Sequence, residues 1–368
     1  MAGITPQADS TEKTGPAAAF WQWFVNNEKR FRDLENNNSE QALDFLSELI
    51  QEMKPFNPWL KALAGPHTGD EYELIITSDG DIALFCKVEE LVQAAPAIEH
   101  WIITAHKPAL GFEGVSIDLY GKEFSTDTTH FYPIIYNDYP DEVNIILTHK
   151  DFDKKDDEHF QAGGMIYLEN GLGEVNTATK IDNYETAPEP AADKEIELIP
   201  ITKLADYLNW REKEFVEKYE SVRAEKPEEN FHLLEAEDKE GKVMLATVDA
   251  GFKNWAAKQA YPWLLHIDIN FEGEETGMPT DEQLQQLQDL EDEIVNLLPV
   301  DGSIYYTGHR IYNHCRNIYF YTNDYRQSTK ALHDYIAQKE TDYEILFFVR
   351  MEKYWRTMEQ YFNVLTDD

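Results

Sequence analysis

An α+β fold is what this sequence predicts, on three observations. Stretches with apolar residues at helical spacing alternate with short β-branched and aromatic runs of strand length. From residue 263 onward these succeed one another in the order β-α-β-β-α-β, the split βαβ or ferredoxin-like arrangement. A hydrophobic fraction of 42% and an aromatic fraction of 13% belong to a chain that buries cores rather than staying disordered. A length of 368 residues suffices for about two or three domains.

Residues 1–16 are small and polar and are expected to form a disordered tail, followed by an N-terminal α+β domain over 17–178. Phe20, Phe24, Phe31 and Leu34, widened by Trp21 and Trp23, predict an amphipathic helix over 17–35, stopped by Asn36, Asn37 and Asn38. Ser39 is a suitable N-cap for a second helix, with Ala42, Leu46, Leu49, Ile50 and Met53 on one stripe and Pro55 ending it. The pair reads as a helical hairpin. Residues 72–77 and 82–86 read as strands around the Ser78-Asp79-Gly80 turn, and 88–95 as a helix. Residues 101–105, 115–120, 131–136 and 143–148 supply further strands of a mainly antiparallel sheet.

From 179 to 229 the composition predicts an acidic linker and connector. Residues 179–197 are rich in acids, Pro and Ala, while Leu204, Leu208, Phe215, Tyr219 and Val222 mark a surface-lying helix ended by Pro227. The C-terminal domain, 230–368, opens with a hairpin over 231–235 and 243–248 around Lys239-Glu240-Gly241. Its ferredoxin-like strands are expected at 263–271, 303–312, 317–322 and 343–350, and its helices at 281–298 and 325–339. Thr280 and Gln283 form a capping-box pattern, Asp281 and Glu282 suit the first-turn dipole, and Leu284, Leu287, Leu290, Ile294 and Leu297 form the buried stripe.

Charge narrows the partners. Against 32 Lys and Arg stand 70 Asp and Glu, a formal net charge of -38, so nucleic acid and anionic membranes are repelled. The partner class favoured is a protein with a basic surface, although a solvated acidic surface accounts for the same charge. Cys86 and Cys315 lack CxxC spacing and read as free thiols of a reducing compartment. No signal-peptide core and no run of about 18 apolar residues is present, so a cytoplasmic location is expected. No pattern fixes an oligomeric state.

A resemblance is carried by Tyr261-Pro262-Trp263 entering a strand, Gly277-Met278-Pro279-Thr280 opening a helix, Tyr319-Phe320-Tyr321-Thr322, and the closing Tyr354-Trp355. Over roughly residues 230–365 these resemble an uncharacterised bacterial family, DUF695 (domain of unknown function 695). Phe20-Trp21-Gln22-Trp23-Phe24, Asp79-Gly80-Asp81 and Val88-Glu89-Glu90-Leu91 are similar to the region preceding that domain in some members. The C-terminal layout is also similar to regulator-B-like domains of ribonuclease activity, acidic proteins that act by binding an enzyme. Where the family pattern leads one to expect Asp-Pro before the final Trp, this chain has Glu352-Lys353-Tyr354-Trp355. The resemblance implies no catalytic residue.

Candidate chemistry centres on the strand over 263–271. Leu265, Ile267, Ile269 and Phe271 share one face, while His266, Asp268 and Asn270 share the other. Joined by His309 or Arg310, this polar face is a candidate site for an anion, a metal or a partner's polar groups, and an ordinary solvated sheet face explains the same pattern. The run from His149 to His159 has oxygen ligands for Ca²⁺ but lacks the Gly and final Glu of an EF-hand, so a charged loop is expected. His314 and Cys315 are adjacent and diverge, as a turn residue and a packed thiol. Gly163-Gly164 and Gly171-Leu172-Gly173 fit neither phosphate-binding fingerprint and are assigned to turns and close packing, and Trp21, Trp23 and Trp355 to cores. No catalytic residue, metal set or cofactor motif emerges. The reading is a non-enzymatic protein acting by protein binding or regulation. The alternative is an enzyme or small-molecule binder with a site between domains or on the open sheet face.

Overall fold

A computed structural model describes residues 15–32, 39–191, 195–222, 224–299 and 301–365. Leu34 and the Asn36–Asn38 stop fall outside these residues, as does most of the expected tail. The fold is α+β, 39% helix and 29% strand. By contacts the chain forms two compact units, one from the described residues up to 79 together with 87–107, the other from 80–86 and 108 onward. No helix among the described residues is long and apolar enough to cross a membrane.

The first unit opens with α1 (Pro16–Arg32) and α2 (Ser39–Met53). They pack through Trp23 and Phe31 against Phe45, an aromatic that widens the expected stripe. Strands β1 (Lys61–Pro66), β2 (Tyr72–Thr77) and β3 (Trp101–Ala105) follow. β1 and β2 are antiparallel, whereas β2 and β3 are parallel and so require a crossover. The crossover explains why residues 82–86 are not the strand their apolar run suggests. They form a 3-10 turn at Ile82–Leu84 and then the start of α3 (Phe85–Gln93). The Asp81 carboxylate accepts from Ala83 N at 3.0 Å and so nucleates helix. Phe24, Phe31, Tyr72 and Trp101 form a ring cluster, and Trp21 Nε1 donates to Leu91 O at 2.8 Å.

From residue 108 the second unit contains strands β4 (Ile117–Leu119), β5 (Lys122–Phe124), β6 (Thr129–Tyr136) and β7 (Tyr139–His149). Helices α4 (Asp157–Leu172) and α5 (Glu174–Lys180), strands β8 (Asn183–Pro188) and β9 (Ile199–Pro200), and helix α6 (Leu204–Tyr219) complete this part. Four strands form a sheet in the order β8-β7-β6-β9, with β7 and β8 parallel. Residues 179–229, expected as an acidic linker and connector helix, hold the expected helix as α6 and a strand besides. Asn183–Pro188 is β8, with Pro188 its last residue, and α6 buries Leu204 and Leu208 in the same core as Phe131 and Ile145. α4 is a helix the sequence hid behind glycines. A Cβ on Gly163 would lie 2.4 Å from the Phe124 ring, and one on Gly164 would lie 2.1 Å from Tyr184 Oη, so the expected close packing is present, within a helix and not at a turn.

The C-terminal domain contains β10 (Phe231–Glu237), β11 (Val243–Asp249), β12 (Trp263–Asn270), α7 (Asp281–Leu297), β13 (Ile304–Tyr312), β14 (Cys315–Thr322), α8 (Tyr325–Gln338), β15 (Glu344–Met351) and α9 (Arg356–Phe362). Its six strands run β10-β11-β13-β14-β12-β15, all antiparallel. The last four are ferredoxin-like, and the leading hairpin extends them at β13. The Thr280–Gln283 capping box is complete. Leu265, Ile267 and Ile269 pack under α7 and α8, with Ile82 and Phe85 joining the same core. On the opposite face a second core of Trp255, Leu264, Tyr321, Trp355 and Phe362 covers part of the sheet.

A bulge between Tyr306 and Gly308 interrupts β13. Gly308 has φ +142°, and a Cβ there would approach Thr247 O to 2.2 Å, in the backbone of β11. Gly308→Ala is therefore expected to destabilise the second unit by at least about 2 kcal/mol, read as a lowered urea midpoint.

Candidate functional site

The sheet brings together four polar side chains on the face away from α7 and α8. His266 Nε2 lies 2.9 Å from Asp268 Oδ1, Asn317 Nδ2 donates to the same oxygen, and Arg310 Nε donates to Asn317 Oδ1 at 2.7 Å. The register that aligns Asp268 with Asn317 and Asn317 with Arg310 makes this a continuous cross-strand row. Burial acts to raise the Asp268 carboxyl, but the hydrogen bond and charge of His266, with Asn317 and Arg310, outweigh it and hold the group low. Cys315 lies beside the row, and burial, with the Asp268 charge, pushes its thiol up to about 12, so it stays protonated at neutral pH. Asn270 is set apart, donating to Glu344 at 2.8 Å. Half-exposed Phe348 and Leu346 flank the row on β15.

His309 does not join this face. Adjacent strand residues point to opposite sides, so the register that brings Arg310 to the row sends His309 beneath α7. There His309 Nδ1 is 2.9 Å from Glu291 Oε1, Tyr306 Oη donates to the same oxygen at 2.6 Å, and Arg316 Nε donates to Oε2. Arg316 also donates to Gln288 at 2.8 Å. Glu291 and Arg316 are 3% and 1% exposed, an ion pair held inside the domain. Burial tends to raise the Glu291 carboxyl, but His309, Arg316 and Tyr306 hold it low. The sequence carried a signal for this cluster that went unused: Glu291 sits among Leu287, Leu290 and Ile294 on the buried stripe of α7, where an acid requires a partner.

Of the concave surfaces that adjoin α7 among the described residues, two bear on binding. One is a groove of about 380 Å³ between the helix and the leading hairpin, lined by Leu233, Leu245, Leu284 and Ile311 with His309 and Arg316 in its floor. The other is an open bowl of about 1110 Å³ where the segment after β12, the start of α7 and the segment before β15 meet. Eight carboxylates line it, among them Glu272, Glu282, Asp289, Glu293, Glu340 and Glu344. Among the described residues its one lining cation, Lys339, is paired with Glu293. Among the described residues no group of three or more His, Cys, Asp and Glu is arranged to hold a metal ion. In the acidic run after β7, His149 bonds Glu123 O, Asp153 caps a 3-10 turn and Asp157 begins α4.

These surfaces lie in or beside a stretch that a comparison with known families recognises. Residues 236–365 match DUF695, a family of unknown function. No curated protein and no solved structure matches the chain. The DUF695 match begins inside β10, so most of that strand precedes it.

The DUF695 domain is tied to the preceding sheet by charges the sequence did not single out. Lys353 Nζ donates to Asp182 Oδ2 at 2.6 Å and to Asp141 O at 3.0 Å, and the same Asp182 oxygen accepts from Val143 N at 2.7 Å. Both side chains of this ion pair are 5–6% exposed. Tyr354, Tyr219 and Lys218 all donate to the Asp141 carboxylate, and these bonds outweigh the burial that acts to raise it. Next to this joint lies a cleft of about 1140 Å³. One wall carries the Phe215–Tyr219 ring pair, the other Tyr261–Tyr305 and Trp263–Tyr325.

Asp182→Ala leaves a buried ammonium without its carboxylate and is expected to cost about 3–5 kcal/mol in urea unfolding. Lys353→Met with Asp182→Leu should recover part of that loss, which a double-mutant cycle measures. For Glu291, a carboxyl held low in the fold, the stability contribution is present above the unfolded value near pH 4 and is lost as pH falls through the folded value. The difference in unfolding midpoint between the native chain and Glu291→Gln should thus be full above about pH 5 and shrink in acid.

Proposed function

We propose that this protein acts in the cytoplasm by binding another protein, not by catalysis, and that the partner presents a basic surface to the DUF695 domain. The observation that carries the reading is the bowl beside α7, with eight carboxylates against one cation that is already paired. A field of one sign in a concave surface attracts and orients a basic partner, and the net charge of -38 adds to it at long range. The open sheet face supports the same reading, because His266, Asp268, Asn317 and Arg310 engage one another and the nearby thiol stays protonated. The fold-level likeness to acidic enzyme regulators is consistent with it.

A second reading has its own observation. The cleft beside the Lys353–Asp182 joint presents three aromatic pairs in a volume suited to a small organic ligand.

The deciding experiment is a pull-down from native extract with the tagged full chain at about 50 mM and about 500 mM salt. A stoichiometric protein partner is expected at low salt, lost at high salt, and lost at low salt from the Glu282→Lys, Asp289→Lys, Glu340→Lys variant. A partner retained by that variant would move the site away from the bowl. No protein at either salt, with a thermal shift from a small metabolite, would favour the cleft.

A further inference from the structure

The six-stranded sheet ends differently at its two edges. Beyond β15, the turn Ile82–Leu84 packs against the strand, and Ala83 O bonds His333 of α8. β10, at the other edge, pairs only with β11 among the described residues. The hydrogen bonds framing this hairpin, Ala250 N to Asn230 O and Asp238 N to Lys242 O, fix its phase. His232, Leu234 and Ala236 therefore direct their backbone groups to β11, and Phe231, Leu233, Glu235 and Glu237 direct theirs outward. The side chains of the outward set lie on the same face as α7, where Leu233 is 71% exposed and Phe231 44%. Leu233 lines the groove beside α7, as does Leu284, 43% exposed.

We propose that β10 is a docking edge for an extended segment of a partner protein, which adds as a seventh, antiparallel strand. Two apolar side chains of that segment pack on Phe231 and Leu233 at the rim of the groove, and two basic side chains stand opposite Glu235 and Glu237. An edge with outward N–H and C=O groups is satisfied by another strand and not by a helix. Side chains directly opposite in an antiparallel pair interact most strongly, so the order Phe, Leu, Glu, Glu at alternate positions dictates the order of the partner's residues. A second copy of this chain fits less well. Its β10 offers no Lys or Arg to the two carboxylates, and it brings the same charge of -38.

This inference rests on the protein-binding reading and specifies the form of the partner. Its test uses two labelled peptides, Lys-Thr-Lys-Thr-Val-Thr-Val and Glu-Thr-Glu-Thr-Val-Thr-Val, titrated with the full chain at low salt and followed by fluorescence anisotropy. The basic peptide is expected to bind at least about tenfold more tightly than the acidic one. The E235K/E237K chain should reverse that preference. L233P, which removes an outward N–H and leaves the bonds to β11 in place, should weaken the preferred peptide by about tenfold or more. Equal binding of the two peptides, an unchanged preference in E235K/E237K, or no binding at all would overturn the proposal. If the peptides are ignored while the bowl still captures a salt-sensitive partner, the edge inference falls and the protein-binding reading stands. If neither occurs, both fall.

Discussion

The second unit depends on the ion pair between Lys353 and Asp182. Burying an ammonium and a carboxylate is unfavourable unless each finds its partner and its remaining bonds are filled. Here Asp182 also accepts from Val143 N, and Lys353 also donates to Asp141 O. The pair thus fixes the start of β7, the segment before β8 and the segment after β15 in one arrangement. The residues around Lys353 then have little freedom. Glu352 accepts from Tyr321 Oη and Thr357, Tyr354 donates to Asp141, and the Arg356 guanidinium lies 3.9 Å from the centre of the Tyr139 ring. Between them Trp355 adopts a left-handed backbone, φ +57°, and is fully buried. That conformation costs about 1–2 kcal/mol for a non-glycine residue. Stacking on Tyr321 at 4.0 Å and two carbonyl acceptors for the indole N–H, from Lys258 and Tyr261, offset it.

The same charge logic separates the two faces of the C-terminal sheet. On the α7 side, the Glu291 and Arg316 charges are enclosed and fully engaged. On the other side the His266–Asp268–Asn317–Arg310 row is partly open to solvent, where its bonds are weaker and its groups remain within reach of a ligand. Acids outside these two networks line the bowl, contributed by the segment after β12, by α7 and by the segment before β15. A surface of one sign therefore arises beside a domain whose internal charges are paired.

Much of this was legible in the sequence. Strands of the ferredoxin-like part follow from periodicity, the capping box from Thr280 and Gln283, and the buried place of Trp355 from its large aromatic ring. Legibility failed where local pattern and tertiary demand differ. Ile82 to Cys86 is apolar over too short a run to distinguish strand from helix, and the parallel pairing of β2 with β3 decided it. α4 has glycines on its packing face; they read as turns and close packing, and only the packing, against Phe124 and Tyr184, is there. Pro188 and the surrounding acids concealed β8. For the open face, alternation correctly separated the polar from the apolar side of β12. It could not say which of two consecutive residues, His309 and Arg310, would face it, since that depends on the register of β13 with β14.

Ile82, Ala83 and Phe85 lie in a core otherwise built from residues beyond 170, and β12, the fifth strand of the sheet, pairs with the edge strand β15, which is about eighty residues later in the chain. During synthesis the earliest of these residues leave the ribosome long before their neighbours exist. Their apolar side chains must wait, exposed, until β15 has emerged. Slow closure of such distant contacts prolongs the exposure of apolar surface, and a stop in translation before β15 leaves β12 unpaired on one side.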